Sequence, residues 1–160
     1  FWFYIKNMSS EFSGGYFAYT NTFIEPFPLP KIEENSGKIN TSVKSILFLN
    51  KDLQELSSKF QRSILRKFPD ELEKLHKKLQ NWYELNFADF IKEFNKKLKS
   101  KGFKPLGLKK EAEWEDYFLD EQEKAMELKT QINQTDKKID QMVYELYGLT
   151  EEEIEIVENS

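Results

Sequence analysis

Apolar residues recur along this chain at two helical spacings. From Trp114 the positions Phe118, Glu121, Ala125, Leu128, Ile132, Thr135, Ile139, Met142 and Leu146 alternate at steps of four and three without a slip. That spacing keeps one stripe on one side of an α-helix, and it predicts a long helix over 108–148. Gly148 is placed to stop it as a C′ residue. Thr150, with Glu153 three residues on, has the form of a capping box opening a short acidic helix and tail over 149–160, whose apolar residues include Ile154 and Val157.

A second stripe, Val43, Ile46, Asn50, Leu53, Ser57, Phe60 and Ile64, widened by Leu47, Leu49 and Leu56, predicts another long helix from about Thr41 to Lys67, within a segment 36–68. Pro69 ends that helix or opens the next at its first turn. In the intervening segment, 69–107, the spacing of Leu72, Leu75, Leu79 and Trp82 predicts a helical stretch. Asn86 is a plausible N-cap for a further helix, with Asp89 in its first turn and Phe87, Phe90, Ile91, Phe94 and Leu98 as its apolar face. Lys101-Gly102-Phe103-Lys104-Pro105 breaks the pattern.

The first 35 residues read differently. Residues 1–8 fit the end of a helix or a buried strand. Ser9 to Gly15 is a loop, Tyr16 to Thr20 suits a short strand, and Thr20 or Asn21 could cap a helical turn through Ile24. Pro26, Pro28 and Pro30 enforce extended chain, and Glu33 to Gly37 is a polar, hinge-like stretch. The expected fold is therefore mainly α. Long antiparallel helices form a coiled-coil-like arm, and a small α+β portion sits at the N-terminus. An arm of about 30 residues per helix reaches roughly 45 Å.

Charge is segregated along this frame. Residues 37–110 hold 18 basic and 8 acidic side chains, a net of +10, whereas 111–160 hold 4 basic and 16 acidic, a net of −12. Two readings stand. The segments could pack as antiparallel helices with complementary flanks, or the basic middle could lie against nucleic-acid phosphates. Charged residues make up 32% of the 160, which favours long solvated helices over a thick core, while 15% aromatics argue against a disordered chain.

Chemistry is sparse. There is no cysteine and one histidine, His76, which reads as a surface residue. Disulfides, thiol nucleophiles, two-histidine metal sites and His-based triads are thereby excluded within the chain. Glu127-Leu128-Lys129 matches a carboxylate-x-Lys nuclease motif only in its short form and lies in mid-helix, where chance explains it. Glu151, Glu152 and Glu153 suit a helix's first turn better than a cation site. No apolar run approaches the roughly 18–20 residues that span a bilayer. A cytoplasmic protein without membrane contact is expected. The opening Phe1-Trp2-Phe3-Tyr4-Ile5, in mid-apolar pattern, reads as part of something longer.

One segment offers contact chemistry. Lys6, Asn7, Ser13, Tyr16, Tyr19, Thr20 and Asn21 carry groups that bond phosphates and base edges, and Gly14 and Gly15 would let backbone N–H groups approach a phosphate. A turn followed by a half-buried strand accounts for the same residues equally well.

Two stretches carry a resemblance. Phe12-Ser13-Gly14-Gly15-Tyr16 through Phe23-Ile24-Glu25-Pro26-Phe27-Pro28-Leu29-Pro30-Lys31-Ile32 resembles the close of a DNA target recognition domain, as type I specificity subunits end theirs. Ile132 to Val157, including Met142-Val143-Tyr144-Glu145-Leu146-Tyr147-Gly148-Leu149-Thr150, resembles the extreme C-terminus of type IIG restriction enzymes and related N6-adenine DNA methyltransferases, with a TaqI-like C-terminal specificity domain. Leu108 to Phe118 is similar to that group as well. The resemblance implies a specificity fragment of a restriction–modification enzyme and a partner in duplex DNA. It further implies methyltransferase and nuclease domains upstream in the same chain, using S-adenosylmethionine and Mg2+. The fragment itself is expected to hold no cofactor and no catalytic residue, since the Asn-Pro-Pro-Tyr motif is missing. The alternative is a structural coiled-coil module docking on the parent enzyme or, as a dimer, on a second copy.

Overall fold

The computed structural model describes residues 1–12, 16–17, 19–30, 36–67, 75 and 77–159. Helices dominate: α1 (Trp2–Met8), α2 (Asn21–Ile24), α3 (Ser36–Leu65), α4 (Phe87–Ser100), α5 (Leu108–Tyr147) and α6 (Glu151–Glu158). The strands among the described residues are β1 (Glu11–Phe12) and β2 (Tyr16–Phe17), antiparallel, with Glu11 opposite Phe17 and Phe12 opposite Tyr16. The chain divides into two compact units, one of residues 41–137 and one of residues 1–40 with 138–160.

The unit 41–137 is built on aromatic rings. Phe60 of α3 stacks on Trp82 with centroids 3.6 Å apart and meets Phe90 of α4 at 5.9 Å and Phe118 of α5 at 6.0 Å. Phe118 in turn touches Trp82, Phe87 and Phe90. Trp82, Phe60, Phe90, Phe94 and Phe118 are all fully buried. Burying such a side chain stabilises by about 1.5–3 kcal/mol, and each well-set ring pair adds about 0.5–1.5 kcal/mol.

One hydrogen bond fixes the tryptophan's position. Its Nε1–H donates to Ser57 Oγ at 3.2 Å. Ser57 is small enough for the indole to come close, and its hydroxyl reaches the Gln80 carbonyl at 3.4 Å. Gln61 Nε2 donates to both Ser57 Oγ and the Gln80 carbonyl. On the other side Gln122 of α5 donates to the carbonyls of Tyr83 (2.8 Å) and Leu85 (2.7 Å). The 80–85 turn is thus held by amides from two long helices.

The α5 stripe is as its spacing predicts. Phe118, Glu121, Ala125 and Ile132 are buried, and Trp114, Leu128, Thr135, Ile139, Met142 and Leu146 are half-buried. Glu121 tolerates burial because Lys124 Nζ lies 2.6 Å from its Oε1. The hydrogen bond to Glu121 and the charge of Glu121 hold the Lys124 ammonium above its ordinary pKa.

The α3 stripe is buried over only part of its length. Leu53, Ser57, Phe60 and Ile64 are buried, but Val43 and Asn50 are exposed, and Asn50 donates from Nδ2 to the Ile46 carbonyl instead. The helix also starts earlier than predicted, at Ser36, so Gly37 is helical rather than part of a hinge. A glycine in a first turn costs little where no side chain is needed for packing.

The helical stretch predicted over Leu72–Trp82 is corrected where it is described. Lys77–Leu79 and Trp82–Glu84 are single 3-10 turns. Asn81 between them sits at φ −97°, ψ 48°, outside helical geometry. Leu72 and His76 lie outside the described residues.

Local chemistry sets the remaining boundaries. Asn86 Oδ1 accepts from Asp89 N at 2.8 Å, the predicted N-cap. α4 closes in a Schellman arrangement: Gly102 has φ +81°, Phe103 N bonds Leu98 O, and Gly102 N bonds Lys99 O. α5 ends the same way at Gly148, φ +65°, with Leu149 N bonding Tyr144 O and Gly148 N bonding Glu145 O. Thr150 and Glu153 form the predicted capping box.

Among the described residues no helix is long and apolar enough to cross a membrane.

Two outcomes follow from this packing. Ser57→Ala leaves the buried Trp82 N–H without its acceptor and lowers unfolding free energy by about 1–3 kcal/mol, read as a fall in Tm or in denaturant midpoint; an unchanged midpoint would show that the bond contributes nothing. The second concerns Tyr144, whose hydroxyl donates to Glu158 Oε1 at 2.5 Å. That hydrogen bond, then burial, then the Glu158 and Asp140 charges push its phenol from 10.0 up to about 12. The raised value means the protonated phenol is favoured in the folded state. Its stabilisation is whole below pH 10 and is lost as pH rises through about 12. Ultraviolet titration of phenolate should show one late phenol, missing in Tyr144→Phe.

Candidate nucleic-acid interface

The unit of residues 1–40 and 138–160 carries the candidate contact groups. Short helix α1 buries Ile5 and leaves Lys6 and Asn7 exposed. Asn7 donates one Nδ2–H to the Phe3 carbonyl at 2.7 Å, which orients its amide while leaving the side chain at the surface. Tyr16, on β2, is 73% exposed, and Tyr19 is 57% exposed. Thr20 is the N-cap residue of α2, yet its side chain makes no capping hydrogen bond, and both Thr20 and Asn21 are exposed. Ser13, Gly14 and Gly15 lie outside the described residues.

Aromatic packing ties part of this set together. Phe27 is the hub, with Phe1 at 5.1 Å, Tyr4 at 5.1 Å and Tyr147 at 6.3 Å. Phe1 also lies 6.4 Å from Tyr19. The start of α1, which carries Lys6 and Asn7, is therefore joined to the 19–21 segment through a shared ring contact.

Tyr147 adds a polar anchor: its hydroxyl donates to the Pro28 carbonyl at 3.0 Å. Pro28 cannot donate a backbone bond of its own, so its carbonyl is the group through which this extended stretch is pinned. Tyr144 and Tyr147 escaped the reading from sequence. Their stripe neighbours Met142 and Leu146 are apolar, and nothing local tells a tyrosine that packs from one that also bonds a residue 119 positions away.

The arrangement offers hydrogen-bond donors, acceptors and one cation on an exposed surface. No group of three or more His, Asp or Glu side chains that could hold a metal ion occurs among the described residues.

No curated protein matches the chain, and no solved structure does. One family does match, over residues 32–143, and is described as a domain of unknown function, DUF8810. The matched region takes in α3, α4 and most of α5, while the nine candidate contact residues precede it. Covering well over half of the 160 residues, that match shows that the chain belongs to the DUF8810 family.

Proposed function

We propose that this chain is a DNA sequence-recognition fragment of a restriction–modification enzyme of the adenine-methylating type. In this reading the 6–21 segment contacts duplex DNA, mainly its backbone. The long helices act as a coiled-coil-like spacer arm that positions the recognition lobe, a remnant of a target recognition domain. Methylation and cleavage, with S-adenosylmethionine and Mg2+, belong to other domains of the parent enzyme, and the fragment performs no catalysis.

The observation that supports it best is the joint exposure of Lys6, Asn7, Tyr16, Tyr19, Thr20 and Asn21 on a small lobe held by the Phe27 ring cluster and the buried Ile5. Exposed hydrogen-bonding side chains beside a cation suit phosphate and groove contacts. In the full-length protein, Lys6→Ala combined with Tyr16→Ala should weaken duplex binding about ten-fold, equivalent to about 1.4 kcal/mol. A gel shift at fixed salt reads this, and unchanged affinity and unchanged site choice would overturn the reading.

A second reading, self-association through the arm, has one observation in its favour. Leu47 and Phe48 on α3 are 65% and 64% exposed, next to the exposed Val43. An open seam exposing Trp82, Trp114 and Phe118 would favour docking, but Trp82 and Phe118 are buried in the core and Trp114 is half-buried. If α3 pairs with a second copy, sedimentation will be concentration-dependent and Phe48→Glu will abolish that dependence. A monomer at all concentrations removes this reading.

A further inference from the structure

The densest positive charge in the chain lies outside the candidate interface. Residues 92–110 hold eight lysines, Lys92, Lys96, Lys97, Lys99, Lys101, Lys104, Lys109 and Lys110, against one acid, Glu93. Seven of the eight are exposed; Lys97 is half-buried. Lys96 is paired, with Glu93 at 2.7 Å.

The framework under these lysines is fixed by one side chain. Asn95 of α4 accepts the Leu106 N–H through Oδ1 at 3.0 Å and donates through Nδ2 to Glu111 Oε1 at 3.2 Å. It thereby clamps the 101–107 connection and the first turn of α5 against α4. At about 100° per residue, Lys99 and Lys92 lie only about 40° and 60° around the helix from Asn95. Lys92 and Lys99 therefore share the side of α4 that meets the connection and α5, and Lys110 adjoins Glu111 in the first turn of α5.

Helix stability does not account for the cluster. Lysines in the last turn of α4 complement its dipole, but Lys109 and Lys110 sit in the first turn of α5, where cations are disfavoured. The acids there, Glu93 and, in the first turn of α5, Glu111, are outnumbered. The Lys96 hydrogen bond, followed by the charges of Lys96, Lys78 and Lys92, draws the Glu93 carboxyl below its ordinary range against a smaller opposing effect of burial.

We infer that the α4–α5 seam is a phosphate-binding surface for duplex DNA, distinct from the 6–21 segment. The inference rests on the DNA-binding reading above and adds to it a second, sequence-independent contact within the family region. Duplex DNA presents one negative charge per about 1.7 Å of axis, a density that matches clustered lysines on several elements. An anionic membrane is less suited. α4 spends Phe90, Ile91, Phe94 and Leu98 on the core, so it has no apolar face left to insert.

The test uses the full-length protein carrying Lys92→Gln, Lys104→Gln and Lys110→Gln together. These are exposed positions on three elements, and thermal melting verifies that the fold is kept. A control triple, Lys129→Gln, Lys137→Gln and Lys138→Gln, makes the same change in net charge elsewhere on α5. Fluorescence anisotropy on duplex DNA between 50 and 200 mM salt gives the slope of log affinity against log salt. The seam triple should flatten the slope by about 2.7, about 0.9 per lost phosphate contact, and leave site choice intact; the control should move it by less than about 1. An unchanged slope in the seam triple, with the wild type binding normally, overturns this inference and leaves the 6–21 reading standing. Equal flattening in both triples overturns it as well, by reducing it to net charge. Wild-type protein that shows no salt-dependent duplex binding sinks both proposals, and tighter binding to anionic vesicles than to duplex assigns the seam to membranes instead.

Discussion

The unit of residues 41–137 depends on one contact, the stacking of Trp82 on Phe60 with its indole N–H held by Ser57. Four elements converge there: α3 supplies Phe60 and Ser57, a 3-10 turn supplies Trp82, α4 supplies Phe90 and α5 supplies Phe118. Helices in proteins draw most of their stability from tertiary packing of an apolar face. The rings widen the buried surface on both long helices. The serine matters because a larger residue at that stripe position would hold the indole away, and an apolar one would leave its N–H unpaired in the core.

That constraint explains why the 77–84 segment is not the helix its leucines suggest. Leu72, Leu75, Leu79 and Trp82 have helical spacing, and periodicity alone cannot tell a helix from a pair of tight turns that bury the same residues. Leu79 and Trp82 are indeed fully buried. What differs is the backbone, bent at Asn81 and held by Gln61 and Gln122 from residues far away in sequence. Tertiary hydrogen bonds won over local preference. By contrast, boundaries governed by local chemistry were legible: Asn86 with Asp89, Thr150 with Glu153, and Gly148 each work through partners within a few residues. The α5 stripe was legible for a related reason, because forty residues without an internal glycine or proline leave the three–four spacing uninterrupted.

The candidate interface was legible in residue types but not in support. Lysine, asparagine and exposed tyrosines near two glycines suggest contact chemistry from sequence. The ring cluster around Phe27 and the Tyr147–Pro28 bond that back them do not. The sequence leaves residues 1–8 open between a helix end and a buried strand and reads Tyr16–Thr20 as a strand; in the structure Phe1, Tyr4 and Phe27 form a small ring cluster. A lobe with two two-residue strands cannot gain much from its sheet. It needs such a cluster to hold polar groups at its surface without collapsing them inward.

Charge segregation gives the two regions different physical roles. Within 92–110 the lysines outnumber the acids, and Lys109 and Lys110 gain nothing from α5's dipole, a cost to the folded chain that the proposed anionic partner would offset. The acidic residues of α6 show the opposite economy. Glu151, Glu152 and Glu153 occupy a first turn, where negative charge stabilises the helix, and Glu158 accepts the Tyr144 hydroxyl. These acids of α6 are therefore accounted for by the fold itself, whereas among the lysines of 92–110 the pairing with Glu93 and the α4 dipole account for Lys96, Lys97 and Lys99 alone. That contrast is the physical ground for proposing a partner at the basic seam rather than at the acidic tail.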